Sequence, residues 1–413
     1  MGSDQGPFIK RLYRWLDRGS NFRRYAPQAA PAEPGGRHQL AICNLIPNLG
    51  DTVMMFPLLD ALRNENPNLE ISFFTQGTGR LIGVHSAIDH LHVIEAPPSN
   101  TFWAKVPPLA RILAWWWKHW RHLRFHTVVV LRGGVDPYRS HHLAWLLGGT
   151  RRIAYSPKLE PELPAYQYDV SPLFTDEVEE MQGIHEVTRG NEVLNLAGLL
   201  KGTISIEEPV ASLLGIAQST AARNYRHQIG LEDQSYAVVA LGASIERRAW
   251  PVAAFAELAR KQLLNQNMRI VLVGGPELAP AALKFRELAG ENVLDLTGST
   301  NFEQLIAVCG KAICFVGNDS GPAHIAGACG VPTLIITAFA QSSRTSHHAS
   351  PVRSHPLGPF VAVVQPKEQL SGCETQCIAT EPHCILEVTV EETSLALQEL
   401  LASAIRISKD CPE

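Results

Sequence analysis

The sequence contains no uninterrupted apolar run long enough to span a bilayer, which excludes a membrane-spanning helix. Its first twenty residues, MGSDQGPFIKRLYRWLDRGS, lack the apolar core of a secretory signal. Neither sign of charge is in large excess. Lys and Arg number 36, Asp and Glu 40, and the net charge is -4. A chain so balanced has no global attraction to nucleic acid, so any phosphate contact has to be local. GxxxxGK[ST] is missing, which excludes a P-loop, and GxGxxG is missing too. There is no low-complexity segment and no short repeat. With no export signal, the 8 cysteines are expected as thiols in a cytoplasmic protein rather than as a disulfide framework.

What is present is enough apolar residue, 45% of the chain against 18% charged, to fill sizeable cores. A chain of 413 residues suits two domains. Apolar strand candidates at residues 38–46, 71–75, 92–94, 128–131 and 152–155 alternate with helical patterns. A second series follows at 236–241, 269–273, 292–296, 312–316 and 331–337. Such alternation predicts an α/β fold of parallel, doubly wound sheets. The expected organisation is an extension and linker over 1–37, a first domain over 38–212, a second over 213–390, and a terminal helix and tail over 391–413.

Two stretches combine aromatic and basic residues. Phe8, Leu12, Trp15 and Leu16 share a helical face among Lys10, Arg11, Arg14 and Arg18. This is either a helix lying on an anionic membrane surface or one packed on the second domain. In Val106 to Phe125, Leu109, Ile112, Leu113, Trp116, Trp120 and Leu123 form a core stripe, while Trp115 and Trp117 point elsewhere. Core packing is the simpler reading; a peripheral contact with an inner-membrane surface is the other.

Several turns follow strands directly. Gly242, Gly274 and Gly321 each close one in the second half, and turns of this kind line the edge where α/β sheets bind ligands. The stretch VGNDSGPAHIAGACGVPTLIIT, residues 316–337, reads as strand, turn, helix start and strand. Its turn aims backbone N–H groups and a helix N-terminus outward, which suits an anion. In the first half, Asp51 stands at a strand-to-helix turn. It either caps the helix or serves as a general base.

Taken in order, IPNLGDT, GAS with RRAWP, LTGST and NDSGPAHIAGACGVPT resemble the bacterial heptosyltransferases, glycosyltransferase family 9. His185-Glu186-Val187 fits the same pattern, and so does Cys384-Ile385 with Val388-Thr389-Val390. The resemblance runs from about His38 to the last helix. It implies a GT-B arrangement of two facing Rossmann-like domains, an ADP-sugar as co-substrate rather than a resident cofactor, and a lipopolysaccharide core or other glycan acceptor. It further implies Asp51 as the base, with Ser244 and Arg248 on the diphosphate. Ser320 and Gly321 would donate to the diphosphate, Asp319 would face the sugar hydroxyls, and His324 would support the helix start or touch the donor. Glu277, Thr297 and Gly298 would lie by the nucleoside. Gly50, Arg132 and Arg139 are the candidate acceptor contacts. Arginine stands at 248 where the family usually has lysine. The alternatives are a transferase of the same fold with another nucleotide sugar or a protein acceptor, and a non-catalytic nucleotide-sugar binder. Cys373, Cys377 and Cys384, spaced C-x3-C-x6-C, are expected to be free thiols with no metal, since CxxC spacing is missing; the other reading is three corners of a zinc or iron site with His383 or Cys411 as the fourth ligand.

Overall fold

The computed structural model describes residues 15–410 apart from positions 17, 34, 96–105, 133–135, 156–168, 180–182, 244, 346, 348, 372 and 374–378. Its contacts divide the chain into two units, Met1–Ile204 and Ser205–Glu413. The division falls ahead of the expected boundary at 212.

The first unit holds six strands: β1 (Gln39–Cys43), β2 (Glu70–Gln76), β3 (His90–Ile94), β4 (Thr127–Val130), β5 (Arg151–Tyr155) and β6 (Asp176–Val178). All pairings are parallel and the order is β3-β2-β1-β4-β5-β6. The strands flanking the centre are buried nearly end to end, because helices cover both faces of such a sheet. That is why they read as plain apolar runs. β6 was not among the expected strands. Its residues, Asp176, Glu177 and Val178, carry no apolar run, and only pairing with Ile153 to Tyr155 makes them a strand.

The second unit repeats the plan with β7 (Tyr236–Ala240), β8 (Arg269–Leu272), β9 (Val293–Asp295), β10 (Cys314–Asn318), β11 (Thr333–Ile336) and β12 (Val361–Val364). The order is β12-β11-β10-β7-β8-β9, again all parallel. Relabelled from its own first strand, each sheet runs 3-2-1-4-5-6, the dinucleotide-binding order. The terminal helix, Val390–Asp410, is no loose tail. Leu397 and Leu400 enter the core beside Phe255 and Leu258.

Two expectations are corrected. The described part of the extension packs within the first unit, with Leu16 against its core. Phe22, on the helix Gly19–Tyr25, is fully buried, its ring centroid 4.7 Å from that of His142 in an edge-on arrangement. Ala29 N–H then donates to Leu146 at 3.1 Å, and Ala32 N–H to Phe125 at 3.0 Å. Gly148, at φ +76°, allows this approach, since a Cβ there would stand 2.3 Å from the Ala29 carbonyl oxygen. Phe8, Lys10, Arg11, Leu12 and Arg14 lie outside the described residues.

The second correction concerns Trp115. The helix Pro108–Trp115 gives way to a wide π turn, Trp116–Trp120. The wider turn rotates the face. Trp116 and Trp120 are buried, and Trp115 packs against the core as well. Only Trp117 stands out in solvent, under the Arg121 guanidinium at 4.5 Å. Among the described residues, no helix is long and apolar enough to cross a membrane.

Candidate active site

In a 3-2-1-4-5-6 sheet the chain leaves strands 1 and 4 in opposite directions, which opens a crevice at their carboxyl ends where ligands bind. The first unit's crevice lies between β1 and β4. After β1 the chain runs through Asn44 to Asn48 into a short helix, Leu49–Val53, with Asp51 in its first turn. The loop is held from three sides. Leu45 N–H donates to Ser140 Oγ at 3.1 Å, Gln76 Nε2 to the Leu45 carbonyl at 2.6 Å, and Thr78 Oγ1 to the Pro47 carbonyl at 2.5 Å. Gly77, at φ +56°, lets Pro47 approach; a Cβ would meet its ring at 2.7 Å.

Asp51 is buried. Asn48 Nδ2 donates to its Oδ2 at 3.1 Å, and Arg132, just beyond β4, forms an ion pair with its Oδ1. Arg132, expected as an acceptor contact, is thus first a partner of the expected base. Each carboxylate oxygen has two lone pairs, so one contact on each leaves acceptor capacity for a hydroxyl. Gly50 adjoins Asp51 on the same turn.

Arg139 lies further along the same loop. It is buried and left-handed, at φ 68°, and donates to the Asp136 carbonyl at 3.0 Å. A non-glycine residue held there is strained, and such strain gathers at functional turns. Beside it Asp136 takes the His141 main-chain N–H at 2.9 Å and pairs with His141 Nδ1 at 3.0 Å. Burial alone would raise its pKa. The His141 side chain and the N–H groups of His141 and Ser140 outweigh burial and hold it well below the usual carboxylate range.

The second unit's crevice lies between β7 and β10, and its organising residue is Asn318, the last of β10. Its amide is completely buried. Oδ1 accepts the Trp250 main-chain N–H at 2.8 Å, and Nδ2 donates to the Leu241 carbonyl at 2.7 Å. One side chain therefore fixes both ends of the loop after β7, which carries Arg248 on a short 3-10 turn, Glu246–Arg248. Gly317 permits the strands to close up, since a Cβ would stand 2.9 Å from the Ala240 carbonyl oxygen. Ser244 lies outside the described residues.

After Asn318 come Asp319 and Ser320, then the helix Gly321–Ala328 with Pro322 in its first turn. Ser320 occupies the N-cap position without making the usual cap bond. Its Oγ is a buried atom that finds no hydrogen-bond partner among the described residues. An unused hydroxyl beside the free N–H groups of a helix start is ready for an anion. His324, buried, faces Asp319 at 3.8 Å, and His355 lies in the same electrostatic neighbourhood. Burial first, with the nearby His324, lowers the His355 pKa against the raising effects of its bond to the Pro356 carbonyl and of Asp319 and Glu207.

The remaining expected donor residues follow β8 and β9. Glu277 is exposed on the turn Pro276–Leu278. Gly298, at φ +68°, donates its N–H to the Gly274 carbonyl at 2.8 Å, and a Cβ there would strike Pro276 at 2.9 Å. Thr297 is engaged locally, its hydroxyl donating to Asp295 Oδ1 at 2.7 Å. The structure thus gathers Arg248, Asp319, Ser320, Gly321 and His324 at the crevice between β7 and β10. Glu277, Thr297 and Gly298 stand along the neighbouring strand ends. Three contributors escaped the sequence reading: Asn318 and Trp250, which act through main-chain bonds, and His355, which is brought in by the fold. A cavity of about 350 Å³ in the first unit, lined by Glu70, His90, His92 and His122, opens at the opposite, amino end of its strands and is separate from the crevice.

The family model for glycosyltransferase family 9 (heptosyltransferase) matches residues 170–377, half of the chain. No curated protein matches by sequence. Among solved structures, a family 9 glycosyl transferase from Veillonella parvula DSM 2008 superposes with TM-score 0.63 at 18% identity, covering 89% of this chain and 97% of its own. ADP-heptose lps heptosyltransferase II of E. coli gives 0.60 at 18%, covering 89% and 99%. E. coli heptosyltransferase WaaC with ADP gives 0.62 at 16%, covering 88% and 99%. These likenesses establish the GT-B class of α/β fold. On the family match over half its length, the chain belongs to glycosyltransferase family 9, the heptosyltransferases, and is a glycosyltransferase.

Proposed function

We propose that the protein transfers a heptose from ADP-heptose to a hydroxyl of a lipopolysaccharide core acceptor, with inversion at the anomeric carbon. The observation that carries this reading is chemical complementarity at two equivalent crevices. One presents a buried carboxylate, Asp51. The other presents a helix start, the unpartnered Ser320 hydroxyl and Arg248. The solved structures similar to this chain include one named for ADP-heptose and lipopolysaccharide and another holding ADP, which supports that choice of donor and acceptor.

In this reading Asp51 takes the proton from the acceptor hydroxyl as its oxygen attacks the anomeric carbon. Asn48 and Arg132 hold the carboxylate in one orientation throughout. The sugar passes through an oxocarbenium-like transition state, and the bond to the diphosphate breaks on the far face. Negative charge grows on the departing ADP. The helix start at Gly321, Ser320 and the Arg248 guanidinium stabilise it, and Asp319 meets the sugar hydroxyls. Glu277, Thr297 and Gly298 flank the nucleoside. Arg139 and Gly50 border the acceptor. Work on such an acceptor places the enzyme in the cytoplasm, at the inner-membrane surface, where Trp117 and Arg121 offer an interfacial contact.

A panel of ADP-heptose, UDP-sugars and GDP-sugars, read by thermal shift and by transfer to heptose-deficient core oligosaccharide, tests the reading. ADP-heptose is expected to give the largest shift and the only product. A preference for a UDP-sugar would overturn it.

A further inference from the structure

The loop that joins β12 to the terminal helix brings together three side chains that the candidate active site does not use. Cys373, His383 and Cys384 place two Sγ atoms and one ring nitrogen all within 4.8 Å of one another. His383 Nε2 lies 2.8 Å from Cys373 Sγ and 3.7 Å from Cys384 Sγ. Both cysteines are free of disulfides. We propose that these residues form a binding site for a thiophilic divalent transition-metal ion, with zinc the ion best suited.

The donor set decides the class of ion. Two thiolates and an imidazole are soft to borderline ligands, which select zinc and iron over magnesium or calcium. Zinc stands about 2.3 Å from sulfur and about 2.0 Å from nitrogen, so its tetrahedral ligand atoms lie roughly 3.5–3.8 Å apart. The Cys384–His383 spacing already meets that value, and the Cys373–His383 contact has only to lengthen slightly. A single cysteine–histidine contact is also how a reactive thiol is activated. A second thiol on the same ring nitrogen, itself buried, adds nothing to that chemistry and is what a metal needs. Cys377 and Cys411 lie outside the described residues, and the site stands on the three described ligands.

Position in the fold gives the ion a task. Cys384 opens the 3-10 turn Cys384–Glu387, and Ile385 and Val388 beyond it are buried in the second unit's core. The Val388 carbonyl accepts the Trp250 indole N–H at 2.9 Å, and the Trp250 main-chain N–H is the one held by Asn318. A metal tying Cys373 to His383 and Cys384 would therefore brace the turn against which the loop after β7 is anchored. Its role is structural, and it takes no part in sugar transfer.

The full-length chain, produced with zinc in the medium and purified without chelator, should retain close to one ion per chain by plasma mass spectrometry. Cys384→Ser endangers the fold because Cys384 is buried. Cys373→Ser and His383→Ala, at half-buried positions, carry the test, with circular dichroism confirming that each variant is folded. Each should lose more than half the bound metal. Replacement by cobalt(II) should give a thiolate-to-metal charge-transfer band that weakens in Cys373→Ser. A native chain that holds no transition metal after reconstitution with zinc, or folded variants that hold as much as the native chain, would overturn the proposal.

Discussion

The two units share one strand order and differ in what they place where that order turns. In the first, the crevice holds an exposed asparagine, Asn48, whose amide steadies a carboxylate. In the second, it holds a buried asparagine, Asn318, whose amide steadies only backbone. In the proposed reaction the first arrangement leaves a side chain as the working group. The second leaves main-chain N–H groups, a hydroxyl and an arginine. The same scaffold can hold a proton acceptor or an anion cradle, depending on whether the turn after the strand ends in Asp51 or in the start of a helix at Gly321.

The largest effect should come from breaking the first crevice. Asp51→Asn keeps the shape and removes the proposed base, so transfer should fall by on the order of 10²–10⁴-fold in steady-state kcat. Breaking the second crevice should appear in affinity instead. Arg248→Gln removes the proposed charge-assisted contact to the diphosphate, worth roughly 1.5–3 kcal/mol, so the ADP Kd should rise about 10- to 100-fold. Arg132→Gln should leave ADP binding unchanged and lower kcat/KM for the acceptor, because the Asp51 carboxylate loses its ion-pair partner. An equal loss of ADP affinity in both arginine variants would erase the distinction between the crevices.

The two asparagines sharpen the comparison through stability. Asn318→Ala leaves a buried N–H and a buried carbonyl unpaired, each costing about 1–3 kcal/mol. Asn48→Ala, at an exposed position, should change stability by no more than about 0.5 kcal/mol. Differential scanning calorimetry on both variants should show a clear fall in Tm for the first alone.

The smallest effect expected is a pH dependence carried by His92 in the first unit. Burial first, then His90 and His122, lowers the His92 pKa from its ordinary 6.5 to about 4. The folded state therefore binds fewer protons there than the unfolded chain does. The stability from keeping His92 neutral is present above pH 6.5 and is lost as pH falls through about 4. His92→Phe should flatten that part of the Tm-against-pH curve, and an unchanged curve would assign the acid sensitivity elsewhere.

Ten of the twelve strands were legible because a covered parallel sheet demands apolar runs. β6 is acidic and three residues long, and only its pairing with β5 makes it a strand. β12, read as VAVV, went unnoticed at the edge of its sheet although its letters are apolar. The turns were legible for another reason: Gly317 and Gly298 stand where a Cβ would collide, so their letters are fixed by space. What could not be read were partners distant in sequence. Nothing near Asp51 announces Arg132, and nothing near Asn318 announces Trp250. The extension was misplaced because one buried ring, Phe22, decides where it packs. The cysteine spacing offered a metal site with His383 only as the weaker reading, because the fold and not the interval brings Cys373, His383 and Cys384 together.

The central claim is a division of labour: the first unit supplies the base, and the second alone holds the nucleotide. Isothermal titration of ADP into the Asp51→Asn chain tests it most directly. The account predicts the native Kd in a protein that no longer transfers sugar. An Asp51→Asn chain that loses ADP binding together with activity, or one that transfers at the native rate, would contradict it.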